Sequence, residues 1–364
     1  METRFAQRRD KLRKLVRKAG ADALLVTDFT NVTYLTGFTG DDSFLLVAAV
    51  GEVLISDARY TQQLEEECPG LELEIRSSGV RMSDALARVV TQVGAKKLGV
   101  ESATLSMAQY EIFREALAGI ELVATKDLVE ELRIVKDAEE IAAIRRAAVL
   151  ARRGFDVLRA SLTPNKSEKQ VATELEYQLR LFGARGCSFP PIIAAGPRAA
   201  LPHATPTDAR ISDSDFLLVD WGANEGLYVS DLTRILVNGK ISPKLERIYG
   251  VVLNAQLAAI EAIRPGVTCH EVDQAARAII AKAGHAKHFG HGLGHGIGLQ
   301  VHEAPRLGPN QQRMLKSGMV VTVEPGIYLP GWGGVRIEDD VLVTRDGHEV
   351  LSNVPKQLEQ CVLS

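Results

Sequence analysis

The sequence lacks the features that would send a protein to a membrane or out of the cell. No run of about 18 apolar residues occurs anywhere in it. The N-terminal sequence METRFAQRRDKLRKLVRKAG is basic and has no apolar stretch of the ~7–15 residues found in secretion signals. We therefore expect a cytoplasmic protein without a membrane segment.

Cysteine and charge patterns exclude further classes. The four cysteines form no CxxC pair and are widely spaced, so we expect free thiols and neither a structural zinc nor a disulfide framework: Cys68, Cys187, Cys269 and Cys361. The formal charge is only -3, and lysine and arginine are scattered along the chain. No basic patch indicates a nucleic acid or an anionic membrane as a partner.

The length of 364 residues suits two domains, and 46% hydrophobic with 24% charged residues is typical of globular proteins. In the first part, predicted helices near 4–19, 60–68, 82–94 and 106–117 alternate with strands, as in an α/β layer structure. Asp137 with Glu140 three places later predicts a helix start. From there, runs of helices and strands are separated, which indicates α+β. We predict one domain over 1–128 and another over 136–364.

The first chemical signal is a pair of aspartates in the segment DFLLVDWGANEGLYVSDLTRILV. A two-residue turn at Glu225-Gly226 would place Asp220 directly opposite Asp231 in a hairpin. Two like charges at about 4.5–5.5 Å destabilise such a pair, so a cation is expected between them. Two solvated surface aspartates would fit poorly with the apolar residues before Asp220.

A second signal is the glycine alternation in FGHGLGHGIGLQVHE. Five glycines would cost a helix roughly 1 kcal/mol each, so we predict an extended segment. Its period of two places His291 and His295 on one face, and the glycine face allows another backbone or a ligand to approach closely. A further histidine, His302, follows shortly after.

Two glutamates complete the inventory. Glu324 and Glu338 lie within strands rich in valine and isoleucine, where a carboxylate is expected to be buried only with a partner. The four carboxylates of Asp220, Asp231, Glu324 and Glu338 would be neutralised by two divalent cations. Oxygen-rich ligation with one imidazole favours manganese, cobalt or iron over a sulfur-seeking structural zinc.

At these residues the sequence closely resembles the pita-bread metallopeptidases, in particular the proline-directed branch that contains aminopeptidase P and prolidase. The matching blocks are PHATP (202–206), LVDWGA to SDLTR (218–234), HGLGHGIGLQVHE (291–303), TVEPGIY (322–328) and GVRIEDD (334–340). NVTYLTGF and SDARY resemble the N-terminal module of aminopeptidase P and creatinase. The resemblance implies an α/β creatinase/prolidase N-terminal domain followed by a pita-bread catalytic domain.

The resemblance also implies a metal-ligand set. Asp220 would bind one metal ion, Asp231 and Glu338 would bridge two, and His295 with Glu324 would complete the second. The two divalent ions, for which we expect manganese with cobalt, iron or zinc as alternatives, would activate a water molecule and polarise the scissile carbonyl.

Further roles follow from the same resemblance. Glu324 would also be the general base, and His291 would stabilise the tetrahedral oxyanion. His302 would contact the residue after the cleaved bond, His203 would line the pocket as a binder or proton shuttle, and Arg336 would bind substrate or organise the ligand carboxylates. Two residues are expected behind the ligands: Tyr228 and Thr233.

The function that these features predict is hydrolysis of the Xaa-Pro bond at the N-terminus of peptides by a homodimer, as in aminopeptidase P. The alternative within the same class is a strict Xaa-Pro dipeptidase. A non-catalytic peptide-binding protein of the same fold, and a creatinase-like hydrolase that needs no metal, are disfavoured because all five ligand types are retained.

Overall fold

A computed structural model describes residues 2–363, with the side chains of Glu2 and Thr3 excepted. The chain divides into two compact units, Met1–Arg133 and Ile134–Ser364. Each unit has its own buried apolar clusters.

The first unit alternates helices and strands. Its elements, in chain order, are α1 (Glu2–Lys18), β1 (Ala23–Val26), α2 (Phe29–Thr36), β2 (Phe44–Ala48), β3 (Glu52–Asp57), α3 (Thr61–Glu67), β4 (Glu72–Arg76), α4 (Met82–Val93), β5 (Lys97–Glu101), α5 (Met107–Ala116), β6 (Glu121–Thr125) and α6 (Glu130–Arg133).

One six-stranded sheet organises this unit, in the order β4-β3-β2-β1-β5-β6. The central β1 is apolar and fully buried, as expected of a strand covered on both faces. Helix α2 was not predicted from the sequence, because its residues include the β-branched Val32 and Thr33. The helix nevertheless has clear boundaries: the Asp28 side chain accepts a hydrogen bond from the Asn31 N–H, and Gly37 ends it with φ 84°.

The second unit starts with two long helices and ends mostly in strands. Its elements are α7 (Ala138–Ser161), α8 (Glu168–Leu181), β7 (Gly186–Cys187), β8 (Ile192–Ala195), β9 (Phe216–Trp221), β10 (Ala223–Glu225), β11 (Tyr228–Val229), β12 (Leu232–Val237), α9 (Pro243–Ala262), α10 (Cys269–Lys282), β13 (Gly294–Gly296), β14 (Glu303–Leu307), β15 (Val320–Val323), β16 (Gly326–Leu329), β17 (Gly333–Arg336), β18 (Asp339–Val343) and β19 (His348–Val350).

Antiparallel sheets form the centre of this unit. The main ones are β12-β9-β8 and β14-β13-β15-β18-β19, accompanied by β11-β10-β7 and the pair β16-β17. An antiparallel bridge between Thr233 and Glu338 joins the first two sheets. Apolar residues of α9 and α10 pack in one cluster with strand residues, while Phe155 of α7 stacks on Trp221 with ring centroids 4.3 Å apart. The helices thus cover the sheets from outside and leave the joint between them to polar side chains.

The hairpin between β9 and β12 differs from the predicted register. Asp220 pairs with Thr233 and not with Asp231, because the two-residue turn falls on Gly226-Leu227, one position later than predicted. Both turn residues have positive φ, 55° and 78°, as the tight turn of a twisted hairpin requires. The error shifts the pairing by two residues, so Asp220 and Asp231 still share one face of the sheet.

All four cysteines are free thiols, as predicted. Within residues 2–363, no helix is both long and apolar enough to cross a lipid bilayer.

Candidate active site

Three predicted ligands converge where the two main sheets of the second unit join. Asp231 immediately precedes β12, His295 lies in β13, and Glu338 immediately precedes β18. One ligand atom from each of these residues lies within 4.8 Å of the others. Asp231 and Glu338 are buried, with 5% and 2% of their surface exposed. A buried set of two carboxylates and one imidazole has the chemistry and spacing of a divalent metal site.

Two oxygens of the predicted metal ligands have no hydrogen-bond partner within the described part of the chain: Oδ1 of Asp220 and Oδ1 of Asp231. Leaving a buried, charged acceptor unpaired is costly, and native structures rarely do so without a reason. A divalent cation would satisfy both oxygens. The residues present therefore fit the metal ions that the ligand pattern implies.

The electrostatics of the site point the same way. Burial raises the pKa of Asp231 well above its usual range, and the neighbouring charges of Glu338 and Asp220 raise it further. The pKa of Glu338 is also raised well above its usual range, by burial and by the charges of Glu324 and Asp220. Protein groups alone do not compensate this negative charge, whereas a bound cation would.

His295 and Glu324 form the other side of the site. His295 Nε2 lies 3.3 Å from Glu324 Oε1 and 3.8 Å from Asp231 Oδ2. His295 Nδ1 lies 3.1 Å from the Gly296 carbonyl oxygen, so in the neutral ring Nδ1 carries the proton and Nε2 faces the carboxylates. Burial disfavours a charged His295, but the hydrogen bond and charge of Glu324 outweigh it and raise the pKa of the imidazole.

Glycines explain how His295 reaches this position. The segment is extended over Gly294–Gly296 and is not helical. A methyl group on Gly294 would lie 2.1 Å from the Thr322 carbonyl oxygen, and one on Gly296 would lie 2.2 Å from the Ala304 carbonyl oxygen. Strand β13 can therefore fit between its two neighbours only because these positions lack side chains, as the alternating pattern predicted.

Arg336 lies beneath the carboxylates and is itself almost fully buried. Its Nη2 donates to Oδ2 of Asp220, its Nε donates to the Thr233 hydroxyl over 3.1 Å, and its Nη1 donates to the Tyr328 hydroxyl over 2.9 Å. The Thr233 hydroxyl in turn donates to Glu338 Oε2 over 2.7 Å. Arg336 and Thr233 thus orient two of the predicted metal ligands.

Sequence reasoning did not identify Tyr328 as a site residue. Its hydroxyl lies 2.9 Å from His291 Nε2 while accepting the Arg336 hydrogen bond. Burial raises the pKa of Tyr328 to about 12 and lowers the pKa of His291, so the pair is a neutral phenol and a neutral imidazole. The pairing of β16 with β17 sets Tyr328 opposite Gly334, two residues before Arg336, and this pairing is not visible in the local sequence pattern.

The remaining predicted residues occupy different places. The His302 ring meets the His295 ring edge to face, with centroids 4.4 Å apart. His203 is exposed on the loop after β8. Burial raises the pKa of Asp220, and the charges of Arg336 and, to a smaller extent, His203 oppose this rise. Tyr228 differs from expectation: its hydroxyl donates to Glu140 Oε1 of α7 over 2.8 Å and not to a predicted metal ligand. Thr233 is the residue of that pair that contacts a ligand.

Behind the site lies a second buried carboxylate, Asp339. It accepts hydrogen bonds from Arg234 Nη2 (2.7 Å), Gln256 Nε2 (2.7 Å), Lys356 Nζ (2.6 Å) and the Ser352 hydroxyl (2.8 Å). Burial alone would raise the pKa of Asp339, but the charges of Arg234 and Lys356 hold it below its usual value. This carboxylate is fully compensated by the protein.

Asp340, the next residue, is only partly hydrogen-bonded, in contrast to Asp339, whose charge the protein compensates. Its Oδ2 accepts a hydrogen bond from the Asp231 N–H over 3.1 Å, while its Oδ1 has no partner among the described residues. Burial raises the pKa of Asp340 to about 8. It holds the backbone of Asp231 from behind the site.

An α/β unit followed by a unit with a buried carboxylate and imidazole cluster defines a two-domain protein with a metal centre. The sequence matches Metallopeptidase family M24 over residues 142–345 and the Creatinase/Prolidase N-terminal domain over residues 8–135. The chain belongs to metallopeptidase family M24, and divalent metal binding is a property of that family.

Individual relatives match almost the whole chain. A Xaa-Pro dipeptidase of Pyrococcus horikoshii is 36% identical and aligns with 96% of this chain and 98% of its own length. The structure of a Xaa-Pro dipeptidase from Bacillus anthracis superposes with a TM-score of 0.95 at 38% identity, covering 99% of this chain and 100% of its own. That of an X-Pro aminopeptidase from Thermotoga maritima superposes with a TM-score of 0.88 at 34% identity, covering 94% and 98%.

These similarities confirm the predicted fold class. The second unit has the pita-bread architecture of the M24 catalytic domain, and the first is a creatinase/prolidase-type α/β domain. The proline-directed branch suggested by the sequence motifs is confirmed at the level of the family.

Proposed function

We propose that this protein hydrolyses the peptide bond before proline in short peptides, using two divalent metal ions. The observation that carries the proposal is the buried group of Asp231, His295 and Glu338 beside the unpartnered oxygen of Asp220. Near-complete alignment with relatives named Xaa-Pro dipeptidase and X-Pro aminopeptidase supports proline as the specificity. We assign the N-terminal domain to 1–128 and the catalytic domain to 136–364.

In this proposal the metal ligands are Asp220, Asp231, His295, Glu324 and Glu338. Asp231 and Glu338 would hold both ions, Asp220 would complete the ligands of one, and His295 with Glu324 would complete those of the other. When bound, the ions supply a Lewis acid and a nucleophilic water. Manganese is the metal we expect, because the set has eight carboxylate oxygens and a single imidazole.

The chain's own residues then bind the substrate and move protons. The Glu324 carboxylate accepts a proton from the attacking water and passes it toward the leaving nitrogen. His291 would stabilise the developing oxyanion through Nε2, because its Nδ1 faces the Gly292 carbonyl oxygen over 2.8 Å. Nε2 would then carry a proton and exchange its contact with the Tyr328 hydroxyl for one with the substrate. His302 and His203 line the pocket beside the cleaved bond, and Arg336 keeps Asp220 oriented.

This function includes two possible substrate classes, Xaa-Pro dipeptides and longer peptides that begin with Xaa-Pro. The motifs SDARY and YLTGF favour an aminopeptidase that accepts longer peptides, whereas the relatives from Pyrococcus horikoshii and Bacillus anthracis are named dipeptidases. A dipeptidase must bind the free C-terminal carboxylate of the proline itself, whereas an aminopeptidase leaves that side open for longer peptides. Substrate length therefore distinguishes the two activities.

The test uses the full-length protein, stripped with a chelator and reloaded with Mn²⁺, Co²⁺ or Zn²⁺. Each form is given a Xaa-Pro dipeptide, a Xaa-Pro-Pro tripeptide and a matched Xaa-Ala dipeptide, and products are measured by mass spectrometry. Cleavage of both proline peptides supports an aminopeptidase, and cleavage of the dipeptide alone supports a dipeptidase. If the protein binds no metal and cleaves none of the peptides, a peptide-binding role replaces the enzymatic one.

We also propose that the protein works as a homodimer, because an N-terminal domain of this family type often acts across a subunit boundary. Light scattering of the active protein should give twice the mass of the 364-residue chain. A monomer with full activity would contradict the dimer without affecting the catalytic proposal.

A further inference from the structure

Glu168 is a fully buried carboxylate that the catalytic proposal does not use. It is the first residue of α8, and none of its surface is exposed. Its Oε1 accepts hydrogen bonds from the Ala195 N–H over 2.8 Å and from Arg198 Nε over 3.0 Å. Its Oε2 accepts from the Thr207 N–H over 2.8 Å and from the Thr207 hydroxyl over 2.7 Å. A charge buried this deeply requires such a set of donors.

All of these donors belong to one loop, residues 195–207. Ala195 and Arg198 lie at its beginning and Thr207 at its end, so one carboxylate closes both sides of the loop. Arg198 adds a second closure, because its Nη2 donates to the Thr205 carbonyl oxygen over 2.6 Å. The backbone N–H of Lys169 also donates to the Thr207 carbonyl oxygen over 3.1 Å. The base of the loop is therefore rigidly tied to α8.

The tip of the same loop reaches the candidate active site. The Pro202 carbonyl oxygen accepts a hydrogen bond from Arg336 Nη2 over 3.3 Å. On either side of Pro202, Leu201 and His203 are exposed, and 54% of the Leu201 surface is open to solvent. An exposed leucine and histidine beside a buried arginine of the site are suited to contact a bound peptide.

The first half of the loop packs closely against the backbone of β17. A methyl group on Gly334 would lie 2.1 Å from the Ala199 carbonyl oxygen, and one on Gly333 would lie 2.6 Å from the Gly196 carbonyl oxygen. The loop thus rests directly on β17, which carries Arg336. Little space is left for the loop to move toward that strand.

We propose that Glu168, together with Arg198, is a positioning residue that holds Leu201–His203 as the substrate-binding edge of the active site. The proposal rests on the peptidase function proposed above. In this proposal the edge binds the peptide without taking part in the proton transfers, so it contributes similarly to binding the substrate and the transition state. Loosening it should raise KM and leave kcat nearly unchanged.

The test compares Arg198→Met and Glu168→Gln with a matched control, Lys169→Gln. Lys169 pairs with Asp208 over 2.9 Å between the same helix and the residue just after the loop, but 58% and 84% of the two side chains are exposed. An exposed pair of this kind contributes little. KM and kcat are measured on the best Xaa-Pro substrate, and hydrogen-deuterium exchange is followed over residues 195–209.

We expect Arg198→Met to raise KM about tenfold with kcat within about twofold, because a hydrogen bond between charged groups contributes more than a neutral one. Amide exchange in residues 199–207 should accelerate in the same variant. Lys169→Gln should match the wild type in both measurements. If Glu168→Gln fails to fold, Arg198→Met still tests the proposal, because Arg198 is partly exposed.

An unchanged KM in Arg198→Met would overturn the proposal, as would a fall in kcat at constant KM. Faster exchange throughout the second unit, with equal effects on KM and kcat, would show a merely structural role and would also overturn it. If the wild type cleaves no peptide, the proposed function fails, while unchanged exchange at 199–207 in Arg198→Met would independently refute the loop's dependence on this pair.

Discussion

Two buried carboxylates that are adjacent in sequence, Glu338 and Asp339, lie at the joint of the two sheets, and the groups that surround them differ. Asp339 is surrounded by donors from Arg234, Gln256, Ser352 and Lys356, and its pKa is held below the usual value. Glu338, one residue earlier, has a pKa raised well above its usual range, because it is buried and because the charges of Glu324 and Asp220 lie nearby. Neighbours in sequence thus have opposite electrostatic environments.

The difference separates structural from functional burial. Where the protein supplies the positive charge, the carboxylate stabilises the fold and nothing else needs to bind. Where it withholds that charge and leaves oxygens unpaired, the folded state carries a penalty that an external cation removes. Residues of the first kind should matter for stability, and residues of the second kind for metal binding and turnover.

The largest expected effect is that of Asp231→Asn. Removing a bridging charge should lower kcat by more than the ~10–100-fold typical of changes behind a metal ligand. The metal-free variant should be at least as stable as the metal-free wild type, because one buried negative charge is gone. Steady-state kinetics and thermal melts of both proteins measure this. Retained turnover would rule out Asp231 as a ligand.

Asp339→Asn should show the reverse pattern. Leaving the buried Arg234 unpaired should lower the free energy of unfolding by ~3–5 kcal/mol. The matched control is Glu349→Gln, which breaks the Arg145–Glu349 pair, with side chains 43% and 44% exposed, and should cost ~0–1 kcal/mol. Denaturant unfolding measures both. Equal losses in the two variants would remove the distinction between Glu338 and Asp339.

Metal removal should destabilise the protein more at high pH than at low pH. The raised pKa values of Asp231 and Glu338 mean that their contribution to the metal-free fold is favourable below the unfolded values near ~4 and is lost as pH rises toward the folded ones. Asp340, with a pKa of about 8, extends this loss into the neutral range.

At a hundredfold excess of metal over its Kd, binding adds about 2.7 kcal/mol. The Tm difference between metal-loaded and metal-free protein should therefore widen from about pH 5.5 to about pH 8. Differential scanning calorimetry at both values gives the comparison. A gap that is constant or narrows with pH would show that the carboxylates are compensated within the protein.

Thr233→Val should have the smallest effect. It removes the hydroxyl that donates to Glu338 over 2.7 Å while keeping the shape of the buried side chain. Metal affinity should fall ~10-fold or slightly more, as is usual when a group that orients a ligand is lost. Titration calorimetry with Mn²⁺ measures the Kd, and the wild-type value in the variant would show that Glu338 needs no such support.

Much of the fold could be predicted because local signals and tertiary structure agree. Long amphipathic helices such as α7, with Asp137 and Glu140 at its start, are defined by periodicity and capping within one segment. Helix α2 could not be found in this way, since its residues favour strands and only the Asp28 cap and Gly37 define it. Its helical state depends on burial within the first unit, which a local reading does not contain.

The site shows the same division. The residue types at positions 220, 231, 295, 324 and 338 were enough to predict a metal site. The predicted hairpin register was wrong by two residues, and a shift of two keeps Asp220 and Asp231 on the same face of the sheet. Tyr328 and Glu168 escaped notice because their contacts, to His291 and to a loop 27 or more residues away, depend on pairings between distant segments. Such contacts have no local signature.

The bare backbone around Gly294 and Gly296 limits how this enzyme can be re-engineered. At each position an added methyl group would clash with a neighbouring carbonyl oxygen. We therefore expect almost every variant in a mutant library at these two positions to be inactive. The exposed Leu201 on the substrate-binding edge is under no such restriction. Efforts to broaden the range of substrates should therefore vary Leu201 and leave β13 unchanged.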